Sequence, residues 1–209
     1  MISEKDVEMR NEGLLYIVSA PSGSGKTTLL KRVMGYFTDI RFSISYTTRP
    51  PRPGEKDGED YHFISLQRFH QMVEKGVFAE WAEVLGNHYG TALDSIWESR
   101  SQGIDLILDI DSQGAKQIKK HFKGGVFTFI LPPSLDALKQ RLEARGVDGG
   151  EVIQLRIAKA RDEMRQARWY DYIIVNERIE EAAEQLKSII IAERCRRRRV
   201  LDRIGLRKR

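Results

Sequence analysis

Cysteine is almost missing from this chain: Cys195 stands alone in 209 residues. An intrachain disulfide is thereby excluded, and a reducing, cytoplasmic setting is expected. Long apolar runs are missing as well. No stretch approaches the roughly 20 residues that a membrane helix needs. The opening Met1-Ile-Ser-Glu-Lys-Asp-Val-Glu8 is too polar for a signal peptide, and no membrane association is expected. The four histidines, at 62, 70, 88 and 121, show no metal-ligand spacing, so no transition-metal site is expected. Net positive charge is confined to one place. Residues 194–209 hold nine Lys/Arg against Asp202, a net of +8 in a chain whose total is +5, which leaves the rest at −3. A body this mildly acidic argues against nucleic-acid binding over a broad surface. The basic tail reads as a solvated or frayed helix end, with a nucleic-acid or acidic-lipid contact as the minor alternative.

What remains is ordinary globular material, 41% hydrophobic and 31% charged. Apolar runs at Leu14–Ser19, Ile104–Ile110, Val126–Leu131 and Tyr172–Val175 predict buried strands. Between them, residues 26–37, 112–121, a segment opening at Ser134 and the segment containing Leu186, Ile189 and Ile190 carry helical spacing. Ser134 is placed to cap its helix and Gly146 to close it. Strands alternating with helices predict an α/β fold with a mostly parallel central sheet covered on both faces. Two segments interrupt the alternation. Residues 40–91, with three of the six prolines in Pro50-Pro51-Arg52-Pro53, suit an inserted subdomain of short strands and loops. Gly146-Val-Asp-Gly-Gly150, between arginine-rich helices, has the composition of a mobile lid.

The strongest local signal is Ser19-Ala-Pro-Ser-Gly-Ser-Gly-Lys-Thr-Thr28. Gly23 and Gly25 let backbone N–H groups curl around phosphate oxygens, and the helix that follows adds its positive end. Lys26 can reach the outer phosphates and the Thr27 hydroxyl can ligate Mg²⁺. The motif departs from the strict Walker pattern, because Ala20 stands where the first glycine belongs. Asp109, ending the strand Leu106-Ile-Leu-Asp109, could hold the same ion through water, or could simply form a turn. An ATP–Mg site is expected.

Further motifs carry a family resemblance. The phosphate loop, the stretch Ser45-Tyr-Thr-Thr-Arg-Pro-Pro-Arg-Pro-Gly-Glu-Lys-Asp-Gly-Glu-Asp-Tyr61, the segment Gly86-Asn-His-Tyr-Gly-Thr91 and Leu108-Asp-Ile-Asp-Ser-Gln-Gly114 together resemble guanylate kinase over about residues 14–193. The resemblance implies a P-loop three-layer sandwich with a small α+β GMP-binding insertion at 40–91 and a lid at about 141–161. The core would be 14–39 and 92–193, flanked by an N-terminal extension at 1–13 and the basic tail. It implies transfer of the γ-phosphate of Mg-ATP to GMP, with ATP and GMP as the partners; a homo-oligomer stays open.

Residue by residue, the resemblance puts the ATP phosphates on Ala20, Pro21, Ser22, Gly23, Ser24, Gly25, Lys26, Thr27 and Thr28, and the metal on Thr27 and Asp109. It puts the GMP phosphate on Arg49, Arg52, Tyr61 and Tyr89. A bidentate guanidinium suits a phosphate dianion better than a lysine does; an exposed basic loop is the competing reading of the two arginines. Base-reading carboxylates fall on Glu80 and Asp111, with hydroxyl partners Ser45 and Thr91. Guanine presents two adjacent donors, N1–H and N2–H₂, which a carboxylate can accept, whereas the N1 of adenine carries no proton. By pattern alone, Glu80 also reads as a surface helix glutamate and Asp111 as a helix N-cap. Arg141, Arg145 and Arg156 match the family's lid and ATP-side cations, with a solvated helix face partnered by Glu143 as the competing reading. Asn176 matches an adenine contact, although the family commonly has aspartate next and this chain has Glu177.

Overall fold

The computed structural model describes residues 12–144 and 149–203. They divide into two compact units, one of residues 12–15 and 39–125 and one of 16–38, 126–144 and 149–203. Among the described residues, no helix is long and apolar enough to cross a membrane.

In the first unit, strand β2 (Ile40–Phe42) pairs in parallel with β7 (Asp105–Asp109), with Ile40 opposite Asp105 and Phe42 opposite Ile107. The start of the predicted insertion thus belongs to a parallel pair. The entry to β7 is fixed to the residue before the first strand: Leu14 N–H donates to Asp105 Oδ1 at 2.6 Å and Leu106 N–H to Leu14 O at 2.8 Å. A second sheet holds β3 (Tyr46–Thr47), β4 (His62–Phe63), β5 (Phe78–Val84) and β6 (Asn87–Ala92) in the order β4-β3-β6-β5. Strands β5 and β6 form a hairpin whose Val84–Asn87 pair encloses Leu85-Gly86. Both loop residues have positive φ, 52° and 76°, the twist-matched two-residue turn in which glycine relieves half of the strain.

A bulge interrupts β5. The register with β6 shifts between Phe78 and Glu80. In a regular strand neighbours face opposite sides, but here Ala79 and Glu80 are both buried, as a bulge permits by re-aiming a side chain. Helices α2 (Leu66–Glu74), α3 (Leu93–Ser101) and α4 (Ser112–His121) complete the unit, with Phe69, Ile96 and Ile118 fully buried. The Ser65 hydroxyl caps α2 by accepting from Arg68 N–H at 3.2 Å.

In the second unit, β8 (Val126–Leu131) lies between β1 (Leu15–Ser19) and β9 (Tyr172–Val175), all parallel, with Val18 opposite Thr128 and Ile130 opposite Ile174. Buried on both faces, β1 and β8 are nearly continuous apolar runs, the pattern that made them legible. Helix α1 (Lys26–Met34) ends three residues short of the predicted 26–37 segment, buries Leu29, Leu30 and Val33, and is in contact with α7 (Ile179–Arg194). Helices α5 (Leu135–Ala144) and α6 (Gly150–Arg165) share a core of Leu138, Leu142, Ile153 and Ala160. Each fully buried leucine there contributes roughly 1.5–3 kcal/mol of apolar burial. Ser134 caps α5, its hydroxyl accepting from Ala137 N–H at 3.0 Å. Gly146 and Arg145 lie outside the described residues. A short helix α8 (Arg197–Arg203) carries part of the basic tail, tied back by the buried Glu193 carboxylate, which Arg196 approaches to 2.6 Å and the Tyr172 hydroxyl to 2.6 Å. All three pairings among the strands of these parallel sets run in parallel, which is the predicted α/β class.

Candidate active site

The donor-side elements lie in the second unit. Strand β1 delivers the chain into the loop from Ala20 to Gly25, and α1 begins at Lys26. The turn is closed by Ser24 N–H donating to Pro21 O at 3.1 Å. Gly23 and Gly25 take φ of 91° and 84°, the left-handed region that only glycine enters cheaply. Space is also short at both. A Cβ at Gly23 would come within 2.9 Å of the Leu138 and Leu142 methyls, and one at Gly25 within 2.7 Å of Asn176 Nδ2.

Two of the predicted ATP-side residues turn out to hold this loop by its backbone. Asn176, 3% exposed at the end of β9, donates from Nδ2 to Ser24 O at 2.8 Å. Arg141, on α5, donates to the same carbonyl at 3.3 Å and to Asn176 O at 2.9 Å. The loop is therefore preorganised by a buried amide and a guanidinium, with Thr27 and Thr28 exposed at the start of α1. Arg156 is half-buried on α6.

The acceptor-side residues fall within the first unit. Arg49 is only 8% exposed, and its fork grips Glu55 through two short bonds, 2.6 Å to Oε2 and 2.7 Å to Oε1. The same carboxylate accepts Arg52 N–H at 2.8 Å, which ties the proline loop into a closed turn. The hydrogen-bonded Arg49 guanidinium holds the Glu55 carboxyl below the usual carboxylate range, and Glu55 raises Arg49 in turn. The guanidinium carbon stands 4.9 Å from the Tyr61 ring centroid and 5.6 Å from that of Phe63. Tyr61 and Tyr89 meet edge to face at 6.0 Å. Burial, and next the Asp109 carboxylate, push the Tyr61 phenol up to about 12, so it is a neutral donor at physiological pH. Arg52 is exposed. Glu55 stands in the motif that carries the family resemblance, but its pairing with Arg49 is not legible there; a lone glutamate six residues on in a loop has no periodicity to reveal it.

Glu80 is on a strand, not a helix, and is 4% exposed. Its Oε1 accepts the Thr91 hydroxyl at 2.6 Å, and Ser45 Oγ lies 3.4 Å from the same hydroxyl. Thr91 is the cross-strand partner of Glu80, so pairing register sets this contact. Asp111 is the N-cap of α4: its Oδ1 accepts from the N–H groups of Gln113 and Gly114 at 3.0 and 2.9 Å. The helix N-terminus stabilises its negative charge. Ser45, Thr91, Glu80, Asp111 and the Arg49–Tyr61–Tyr89 group thus all belong to one compact unit, pairing hydroxyls and carboxylates at one set of residues with a guanidinium and phenols at another.

A family model described as guanylate kinase matches residues 12–193. The chain belongs to the guanylate kinase family. It is 56% identical over 197 residues to a guanylate kinase of Geobacter sulfurreducens, covering 94% of this chain and 97% of that one. A guanylate kinase of Geobacter metallireducens is 57% identical over 196 residues, with the same coverage. The crystal structure of guanylate kinase from Anaplasma phagocytophilum superposes with a TM-score of 0.74 at 31% identity, covering 95% of this chain and 98% of that chain. Members of this family are ATP:GMP phosphotransferases of the nucleoside monophosphate kinase class, and the parallel-sheet α/β fold described above agrees with the match.

Proposed function

We propose that this guanylate kinase family chain transfers the γ-phosphate of ATP to GMP, giving ADP and GDP, with the donor held by the loop from Ala20 to Thr28 and the acceptor by the first unit. Phosphoryl transfer asks for in-line placement and positive charge around the equatorial oxygens, with no protein nucleophile. Lys26, Arg141, Arg145 and Arg156 are the cations assigned to that charge. Arg49, Arg52, Tyr61 and Tyr89 bind the GMP phosphate: a guanidinium fork for two oxygens, and neutral phenols as further donors. Glu80 and Asp111 accept the N1–H and N2–H₂ donors of guanine, and Thr91 and Ser45 complete the polar set. Asn176 supports the loop from behind, whatever contact it also makes with adenine.

Thr27 and Asp109 offer a hydroxyl and a carboxylate oxygen, hard donors that suit Mg²⁺. Among the described residues no cluster of three or more His, Cys, Asp or Glu could cage a metal. When bound, Mg²⁺ neutralises phosphate charge.

The observation that carries the acceptor assignment is the buried Glu80 carboxylate, aimed inward by a bulge and oriented by Thr91. Turnover with GMP, AMP, CMP and UMP, offered separately to wild type and Glu80→Gln, tests it. GMP should be the acceptor, and Glu80→Gln should cut kcat/KM for GMP by about 10²-fold, because the amide turns a donor toward a donor. Unchanged GMP kinetics in Glu80→Gln would refute the base-reading role.

A further inference from the structure

Gly114 lies inside α4, and nothing about its backbone asks for glycine. The helix runs from Ser112 to His121 and Gly114 is buried within its first turn. Glycine in a helix is less favourable than alanine because it loses more backbone freedom on ordering. What occupies the missing side chain's place is Glu80. A Cβ at Gly114 would stand 2.0 Å from Glu80 Oε2 and 2.8 Å from its Cδ, far inside van der Waals contact.

The surroundings leave little room to relieve that overlap by moving the helix. Gln117, one turn on, clamps α4 to β5 in both directions: its Nε2 donates to Trp81 O at 2.7 Å and its Oε1 accepts from Trp81 N–H at 3.2 Å. Trp81 follows Glu80 directly, so the clamp holds the very backbone that carries the carboxylate. The Asp111 cap adds a second restraint, through the Gly114 N–H itself. The other carboxylate oxygen is taken by Thr91. A methyl group at 114 would therefore have to displace the Glu80 carboxylate rather than the helix.

We propose that Gly114 is a specificity-determining residue of the acceptor site: a notch in α4 that admits the Glu80 carboxylate and fixes the position of Oε2. It is a positioning residue, acting through Glu80, and the inference rests on the base-reading role given to Glu80 above. A helical glycine kept at a stability cost is explained by this contact and by no backbone feature of α4.

The test is a double-mutant cycle on the full chain, with GMP binding measured by calorimetry without ATP and steady-state kinetics for both substrates. Gly114→Ala should weaken GMP binding and raise KM for GMP by about tenfold or more, narrow the GMP-over-AMP preference, and leave KM for ATP as in wild type. In the Glu80→Asp background, where the carboxylate is one methylene shorter, the added methyl should cost much less. Unaltered GMP affinity in Gly114→Ala, or the same fold loss in both backgrounds, would overturn the proposal. Should Gly114→Ala alone fail to fold, recovery of folded protein by adding Glu80→Asp would support the contact, and no recovery would overturn it. Glu80→Gln separates the two ideas. Loss there with none in Gly114→Ala removes only the notch, whereas no loss in Glu80→Gln removes the base-reading role beneath it.

Discussion

In the loop proposed to hold the donor, the groups offered to phosphate would be mostly backbone, and what holds the loop in shape is hydrogen bonding to a carbonyl: Ser24 O takes both Asn176 and Arg141. In the acceptor site proposed above they are side chains: Arg49 is held by Glu55 and Glu80 by Thr91, while Asp111 is held by the N–H groups at the start of α4. In the proposed function the first arrangement would recognise a triphosphate without regard to what is attached to it, because N–H groups and a helix end read only charge and shape. The second can tell one base from another, because a carboxylate and a hydroxyl present a specific pattern of acceptors and donors. On that proposal, generic affinity would come from glycine and backbone, and selectivity from carboxylates and hydroxyls.

The contrast can be broken at several points. The largest effect is expected at Lys26. Removing its charge with Lys26→Ala should lower kcat on the order of 10²–10³-fold, as losing a transition-state charge partner does, while calorimetric GMP affinity stays that of wild type. A parallel loss of GMP affinity would mean that the two sides are not separable. A smaller effect is expected at Asn176. Asn176→Ala leaves the buried Ser24 carbonyl without its amide, at a cost of about 1–3 kcal/mol. For a chain of this size that lowers the thermal midpoint by roughly 2–4 °C per kcal/mol, and KM for ATP should rise with KM for GMP unmoved. The smallest effect is spectroscopic. The folded Tyr61 phenol titrates near 12, above its ordinary value of 10. The folded state therefore holds this proton longer than the unfolded one, so the associated stability is intact below about pH 10 and is lost as pH rises toward 12. Tyr61→Phe should remove a late-titrating phenol from the tyrosinate absorbance curve and leave the earlier ones in place.

How much of this was legible in the sequence follows the same division. The loop from Ser19 to Thr28 could be read at once, since strand, glycines, lysine and helix follow each other along the chain and the contacts are local. Its supports could not: Arg141 and Asn176 lie 117 and 152 residues from Ser24, and their composition says nothing of a carbonyl partner. Motifs shared with the family brought Glu80, Thr91 and Asp111 forward, yet pattern alone allowed a helix at Glu80. The bulge at Phe78–Glu80 is the reason, because it buries two neighbours in a row and spoils the alternation that marks a strand. Asp111 shows the opposite case, in which the modest reading as an N-cap is correct and does not conflict with base recognition. Short strand β2, three residues long, carried too little pattern to be separated from the loops after it.

Calorimetry of wild-type protein with GMP and with AMP, in the absence of ATP, addresses the central claim most directly. If guanine is read by side chains of the first unit, GMP should bind on its own and AMP should bind far more weakly, by about 10²-fold or more. Equal affinities for the two nucleotides would contradict the account, whatever the chain then does with ATP.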